Sequence, residues 1–315
     1  MNILVLGGSG FLGGHLIDEL ISEGHSVTSI DVAKERYRNT PSAIHFIEAD
    51  FGNRGELTSI FEEKEIDVVI HLVSTTLPGT SNIDPLFDIT TNLIESVALL
   101  DLCVRFNVKK FIYFSSGGTV YGESNEPLIS EEHPTFPICS YGIVKLAFEK
   151  YIQMYWRLHG LNYSILRISN PYGPRQDPRK MQGAIGVFMH KMLTNDKIVI
   201  WGDGSVIRDY VYVGDVVKAA LLAIKSEQSS LVNIGSGVGI SLRELLKKLE
   251  SLLGVSANIE YRPGRKFDID RMVLDCSRAQ SLLGWTATTK LEHGLESMRL
   301  WLAEFSKIKF ENKEN

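Results

Sequence analysis

Three cysteines in 315 residues, Cys103, Cys139 and Cys276, are scattered and odd in number. They cannot build a disulfide framework, they lack metal-ligand spacing, and they suit a reducing compartment in which each is a packing residue. Long apolar runs are equally absent. The first, Ile3–Leu6, is cut at once by Gly7, and no basic segment precedes it. It therefore reads as neither a bilayer span nor a secretory leader, and a cytoplasmic protein without a membrane partner is the expectation. Basic runs are missing too: Lys+Arg number 33 against 38 Asp+Glu, a net charge of −5 with both signs interspersed. That balance excludes electrostatic binding of nucleic acid. Repeats and low-complexity tracts are also lacking, and only Lys307–Asn315 reads as a solvated tail. What remains, 44% hydrophobic and 23% charged, can bury a full core as one large domain or two joined ones.

What is present begins with an apolar strand that runs directly into Gly7, Gly10 and Gly13, ahead of a helical pattern over Leu12–Glu23. Gly7 permits a tight turn, Gly10 lets backbone approach a pyrophosphate, and Gly13 lets the helix pack on the strand. Phosphates then rest on unpaired helix N–H groups. A second strand, Val27–Asp31, ends in an acid placed to accept from a ribose diol, which favours NAD over NADP. Read structurally, Asp31 caps a strand-end turn. Lys34 and Arg36 stand close behind it and work against that cofactor preference.

Further apolar runs at Ile44–Ile47, Asp67–Leu72, Lys110–Phe114 and Tyr163–Ile168 alternate with helical patterns at Arg54–Glu63, Pro85–Phe106 and Tyr141–His159. Alternation of this kind predicts an α/β fold, a Rossmann-type doubly wound parallel sheet with its ligand crevice at the strand C-termini. Residues 1–169 form the expected NAD-binding domain and include the Tyr/Lys helix. Past Asn170 the prolines and glycines crowd, and 170–306 reads mainly as a smaller substrate-binding region, interleaved with the first, before a flexible tail at 307–315. In that region helices are expected at Ala184–Leu193, Val213–Ile224 and Leu242–Leu253, and strands at Lys197–Ile200, Leu231–Ile234 and Asn258–Tyr261.

Tyr141 and Lys145 lie four residues apart, one helical turn on one face. A fixed ammonium favours the phenolate, so Lys145 is expected to lower the Tyr141 pKa and let it act as a general base near neutrality. Alone, such a pair is an ordinary surface i,i+4 contact.

It is not alone. The loop Gly7–Gly13, Asp31, Asp50-Phe51, Ile70-His71-Leu72, the run Phe114–Gly122, the Tyr141/Lys145 pair and Asn170–Gly173 together resemble the extended short-chain dehydrogenase/reductase family, in its nucleotide-sugar epimerase and dehydratase branch. Trp201–Val213 and Asn233–Gly237 extend the resemblance over nearly the whole chain. It implies NAD as cofactor, held by Gly7, Gly10, Phe11, Leu12, Gly13, Asp31, Asp50, Phe51, Leu72, Val73, Asn92, Ser115, Tyr141 and Lys145, with Asp50 and Phe51 at the adenine. It implies that Asn170, Arg208 and Arg262 grip a nucleotide diphosphate, with Arg265 adding a contact where the family carries an aspartate. Structurally, Asn170 is a turn residue before Pro171 and Arg208 a surface cation. Ile269 falls where a residue gates sugar size, and a homodimer through Pro85–Phe106 and Tyr141–His159 is the implied assembly.

Two departures carry the functional reading. The family places Ser or Thr where this chain has Gly117, so Tyr141 acts directly or a water, Ser116, Thr119 or the hydroxyls of Ser74, Thr75 and Thr76 replace the missing group. These hydroxyls serve equally well to satisfy loop backbone. The dehydratase Asp-Glu pair is replaced by Gly118-Thr119, which removes the acid and base needed to expel water. Hydride transfer alone remains. The expectation is an NAD-dependent 4-epimerase of a UDP-hexose, plain or N-acetylated, working through a transient 4-keto sugar. A nucleotide-linked 4-keto-6-deoxy-sugar reductase is the alternative, and a non-catalytic cofactor sensor the third.

Overall fold

The computed structural model describes residues 1–179, 183–264 and 269–311, with side chains as far as 304. The first half runs β1 (Asn2–Leu6), α1 (Phe11–Ser22), β2 (Ser26–Asp31), β3 (Ile44–Glu48), α2 (Arg54–Glu63), β4 (Val68–His71), α3 (Pro85–Asp88), α4 (Glu95–Arg105), β5 (Lys110–Ser116), α5 (Ser140–His159) and β6 (Asn162–Ile168). Then follow β7 (Asn170–Tyr172), α6 (Ala184–Leu193), β8 (Ile198–Trp201), β9 (Ile207–Tyr212), α7 (Val213–Lys225) and β10 (Ser230–Ile234). The chain closes with β11 (Gly239–Ser241), α8 (Leu242–Leu253), β12 (Ile259–Arg262), β13 (Arg271–Met272), α9 (Ser277–Leu283) and α10 (Leu291–Glu311).

Seven strands form one sheet in the order β10-β6-β5-β4-β1-β2-β3, and every pairing is parallel. Parallel sheets need cover on both faces, which is why the central strands β1 and β4 are apolar runs buried on both sides. In β1, Ile3 and Val5 pack toward Leu16, Ile17 and Leu20 of α1 and Val216–Ala220 of α7, while Leu4 and Leu6 pack toward Leu57, Phe61, Leu99, Phe148 and Ile152. The strand order reverses between β1 and β4, and the crevice beyond their C-termini is the ligand site of such sheets. The seventh strand, β10, comes from beyond residue 169 and joins β6 in register from Ser230 to Ile234.

The remaining strands make two small sheets, β11-β9-β13 with β7 also on β9, and β12-β8. Around them α6, α8 and α10 bury Ile185, Met189, Leu245, Leu249, Leu295 and Met298. Helix α8 starts in a capping box, with Ser241 accepting from Glu244 N and Glu244 accepting from Ser241 N.

The apolar periodicity over Pro85–Phe106 predicts one helix, and here the structure differs. Asp84 caps α3 by accepting from Phe87 N at 3.0 Å, but Ile89–Ile94 is a π-helical turn before α4 begins. Asp88 and Asn92, four residues apart on one helical face, line the same cavity.

Candidate active site

The glycine loop leaves β1 through Gly7 at φ +84°, a conformation open to glycine, with Gly7 N donating to Ile30 O at 2.9 Å. A Cβ on Gly13 would overlap the Gly7 carbonyl oxygen, so the helix can approach the strand this closely only with glycine there. Gly10 precedes α1 and supplies no side-chain cap, which leaves the first helical N–H groups, those of Phe11 and Leu12 among them, without a side-chain acceptor at the cap. Asp31 closes β2 and accepts from Ser9 N at 2.9 Å and Val32 N at 2.8 Å, tying the loop to the strand end.

The arginines behind Asp31 are paired. Arg36 pairs with Asp177 at 3.1 Å, and Arg38 pairs with Glu35 and Asp18 while donating to Gly14 O at 2.9 Å. Arg175 reaches the same acids, 3.0 Å from Asp18 and 3.4 Å from Glu35. Arginines committed in this way do not compete for a 2′-phosphate, and the carboxylates beside them repel one.

Asp50 accepts from Gly52 N at 2.8 Å in the turn after β3. Phe51 is buried against the His71 ring, so only its backbone is available to an adenine. Leu72 N donates to Leu6 O at 3.0 Å, and Val73 lies against Gly7, which sets both at the mouth of the crevice.

At the centre is a small cavity lined by His71, Val73, Ser74, Asp88, Asn92, Tyr113, Tyr141, Val144 and Lys145. Lys145, 6% exposed, donates to Phe114 O at 3.0 Å and sits over the rings of Tyr113 (4.7 Å) and Tyr141 (5.6 Å). Burial pulls it down to about 8, opposed by Glu149 and Asp88. The Tyr141 hydroxyl interacts with Ser116 and Ser74, which favour its ionised form. Burial nevertheless pushes Tyr141 up to about 12, with Cys139 and Asp88 adding to the rise. The lowering expected from Lys145 is outweighed here by burial. The ammonium lies on the ring face and is bonded to a carbonyl, so desolvation outweighs it.

Gly117 is not an empty slot for a hydroxyl. A Cβ there would lie 2.5 Å from Leu274 Cδ1 and 3.1 Å from Arg167 O, so Leu274 has filled the space. Of the expected substitutes, Ser116 and Ser74 are brought to Tyr141, Ser74 also donating to Thr76 O at 3.1 Å. Thr119 is not: its Oγ1 is buried without a hydrogen-bond partner among the described residues, and its carbonyl packs on Gly142. Thr76 donates to Asp88 at 2.7 Å. Ser115 donates to Glu149 at 2.5 Å, and Glu149 is in turn paired with buried Arg167 at 2.6 Å, so the Ser115 side chain serves the core rather than the crevice. Asn92 accepts from Thr75 N at 2.8 Å and donates to Asp88 at 2.9 Å.

Toward the smaller half, Asn170 donates to Asp209 O at 2.9 Å, and Arg208 donates to Ile269 O at 2.7 Å. Ile269 is buried beside Tyr121 and Leu274. Arg262 is exposed, bonded to Glu260 at 2.6 Å, with its guanidinium 5.7 Å from the centre of the Trp201 ring. Arg265 lies outside the described residues. Sequence reasoning passed over Asp88, Ser81, Asn82 and Ser140. Tyr141 N donates to Ser81 Oγ at 3.1 Å, and Ser140 N donates to Asn82 Oδ1 at 2.9 Å. The one signal was an acid inside the apolar run Leu86-Phe87-Asp88-Ile89.

A glycine loop at the first crossover, an acid closing the second strand and a buried Tyr–Lys pair at the crevice define a dinucleotide-dependent enzyme that acts on a hydroxyl-bearing carbon. The residues fit NAD: Asp31 closes β2 beside the glycine loop, and the buried Lys145 ammonium has three donors where Phe114 O takes one. The chain belongs to the NAD dependent epimerase/dehydratase family, whose sequence model matches residues 3–235. It is 37% identical over 302 residues to a protein of Methanocaldococcus jannaschii named as a putative UDP-glucose 4-epimerase, covering 95% of this chain and 98% of that one. It is 33% identical over 306 residues to dTDP-4-dehydro-6-deoxyglucose reductase of Escherichia coli, covering 94% and 96%. The crystal structure of UDP-glucose 4-epimerase from Thermotoga maritima with UDP-glucose is 37% identical and superposes with a TM-score of 0.93 over 97% of this chain and 99% of that one.

Proposed function

We propose that the protein interconverts UDP-hexoses at C4, plain or N-acetylated, using bound NAD. The observation that carries this reading is the Tyr141 hydroxyl, set among Ser116 and Ser74 beside buried Lys145, with glycine and threonine where a dehydratase carries its acid and base. Such a site can take a proton from a sugar hydroxyl and return it, and cannot readily expel water. Tyr141 accepts the C4 hydroxyl proton, Ser116 or Ser74 bridges it, and Lys145 holds the phenolate. NAD, when bound to Asp31 and the loop Gly7–Gly13, supplies the hydride acceptor and a positive charge that favours the phenolate. Asn170, Arg208, Arg262 and Arg265 hold the diphosphate, and residues from 170 onward other than α7 and β10 form the substrate half.

The free cysteines support a cytoplasmic setting, and no helix among the described residues is long and apolar enough to cross a membrane. Exposed Leu86 and Phe87 on α3 and Ile143, Met154 and Leu158 on α5 support a symmetric dimer across these helices.

Proton NMR of the anomeric signals, with purified protein, UDP-glucose, UDP-galactose and their N-acetyl forms and no added cofactor, tests the proposal. Interconversion supports it. The likeness to a deoxysugar reductase favours a second reading, which wins if NMR shows no interconversion even with NAD and the protein instead consumes NADH with a nucleotide-linked 4-keto-6-deoxy sugar.

A further inference from the structure

We infer that Asp88 is a positioning residue for the chemistry of Tyr141: its carboxylate fixes both walls of the cavity around the tyrosine hydroxyl and sets a buried counter-charge across from the Lys145 ammonium. The inference rests on the reading of Tyr141 as the proton acceptor.

Asp88 is 0% exposed and fully engaged. Oδ1 accepts from Thr76 Oγ1 at 2.7 Å and Asn92 Nδ2 at 2.9 Å, and Oδ2 accepts from Ser140 Oγ at 2.7 Å. These donors come from the loop after β4, the π turn and the start of α5. Through Thr76 the carboxylate holds the loop whose Ser74 interacts with the Tyr141 hydroxyl. Through Ser140 it holds the residue before Tyr141 itself. One side chain therefore clasps the phenol and its hydroxyl partner together.

The charge is a separate matter. An asparagine could accept from Thr76 and donate to Ser140, so hydrogen bonding alone does not call for a carboxylate, and burying one costs stability unless an opposite charge compensates. Among the described residues Asp88 has no cation at ion-pair distance, but Lys145 lines the same cavity. The other titratable groups facing this space are His71 from β4, Tyr113 from β5, and Cys139 and Tyr141 at the start of α5. Glu149 acts on Lys145 from one turn further along. His71 is held neutral by burial, and Glu149 is paired with Arg167, which leaves Asp88 as the unpaired anion of the cavity. A negative charge here keeps Lys145 charged and holds back the Tyr141 phenolate.

Removing it by Asp88→Asn makes the phenolate easier to form and the ammonium easier to lose. Both titrations move the same way, and the pH profile of kcat for 4-epimerisation shifts to lower pH as a whole, by about one unit. The same variant, labelled at the tyrosine ζ carbon and titrated by 13C NMR, shows the Tyr141 resonance moving with a lowered midpoint, a readout that needs no turnover. Ser140→Ala keeps the charge and removes one anchor: kcat falls several-fold, KM stays within twofold, and the profile remains centred where it was. A profile and a tyrosine titration in Asp88→Asn that coincide with the parent overturn the inference. A shifted tyrosine titration in a protein that turns over no UDP-hexose supports the placement of Asp88 and sinks the functional reading instead. Should Asp88→Asn fail to fold, Ser140→Ala and Thr76→Val carry the test, and unchanged kcat in both overturns it.

Discussion

Tyr141 and Gly117 divide the chemistry of the site from its packing. Tyr141→Phe removes the proposed proton acceptor and leaves the ring on Lys145, so turnover is expected to fall by roughly 10²–10⁴ while NAD stays bound. Comparing kcat with the absorbance of retained cofactor checks this. Restoring a hydroxyl by Gly117→Ser does the opposite of what a family pattern suggests, because the new side chain meets Leu274 Cδ1 and the Arg167 carbonyl. Overpacking of that kind costs about 1–3 kcal/mol, read as a lower midpoint in urea, with no gain in kcat. A serine variant that is faster and equally stable would refute the account of Leu274 as the occupant.

His71 makes the pH argument at the same scale. It is 1% exposed, hydrogen-bonded to Ser96 at 2.8 Å, and burial among aromatic rings, with Lys145 nearby, lowers it to about 3. A histidine depressed in the folded state contributes stability above its unfolded pKa near 6.5 and loses it as pH falls toward the folded value. The slope from this one group is about 1.4 kcal/mol per pH unit. Denaturant melts of the parent and His71→Gln between pH 4 and pH 7 should show the variant with the flatter dependence, and parallel curves would remove His71 from the argument.

Among the elements, α1 depends on Gly13 and α8 on Ser241. Gly13→Ala presses a methyl into the Gly7 carbonyl, so the helix must back away from the loop that receives the diphosphate. NAD affinity measured by calorimetry is expected to fall at least tenfold, whereas Ser241→Ala, distant from the loop, costs about 1 kcal/mol of stability and leaves affinity alone. The elements also separate what the sequence could disclose from what it could not. Strands β1, β2, β4, β5 and β6 and helices α1, α2 and α5 announce themselves by local period and flanking glycines. Strand β13 is two residues long, and β7, β9 and β11 become strands by pairing with partners remote in sequence. Asp88 was hidden because its partners Thr76 and Ser140 are remote in sequence, whereas Tyr141 and Lys145 share one helical turn. Leu274 beside Gly117 is a contact that only the folded chain reveals.

Over the whole molecule, the two halves are joined by charge as well as by chain. Helix α1, the loop after β2 and the segment 174–179 share Asp18, Glu35 and Asp177 among Arg36, Arg38, Arg175 and Arg179, and His15 Nε2 donates to Pro174 O across the same seam at 2.9 Å. Strand β10 makes the dependence structural. The seven-stranded sheet borrows its last strand, β10, from a segment that follows β7, β8 and β9 of the smaller sheets. During synthesis, then, β6 waits with Ile165, Leu166 and Ile168 beside an open row of backbone donors and acceptors until residues 230–234 arrive. A message truncated near residue 169 would yield not a small cofactor-binding protein but a sticky edge, prone to self-association.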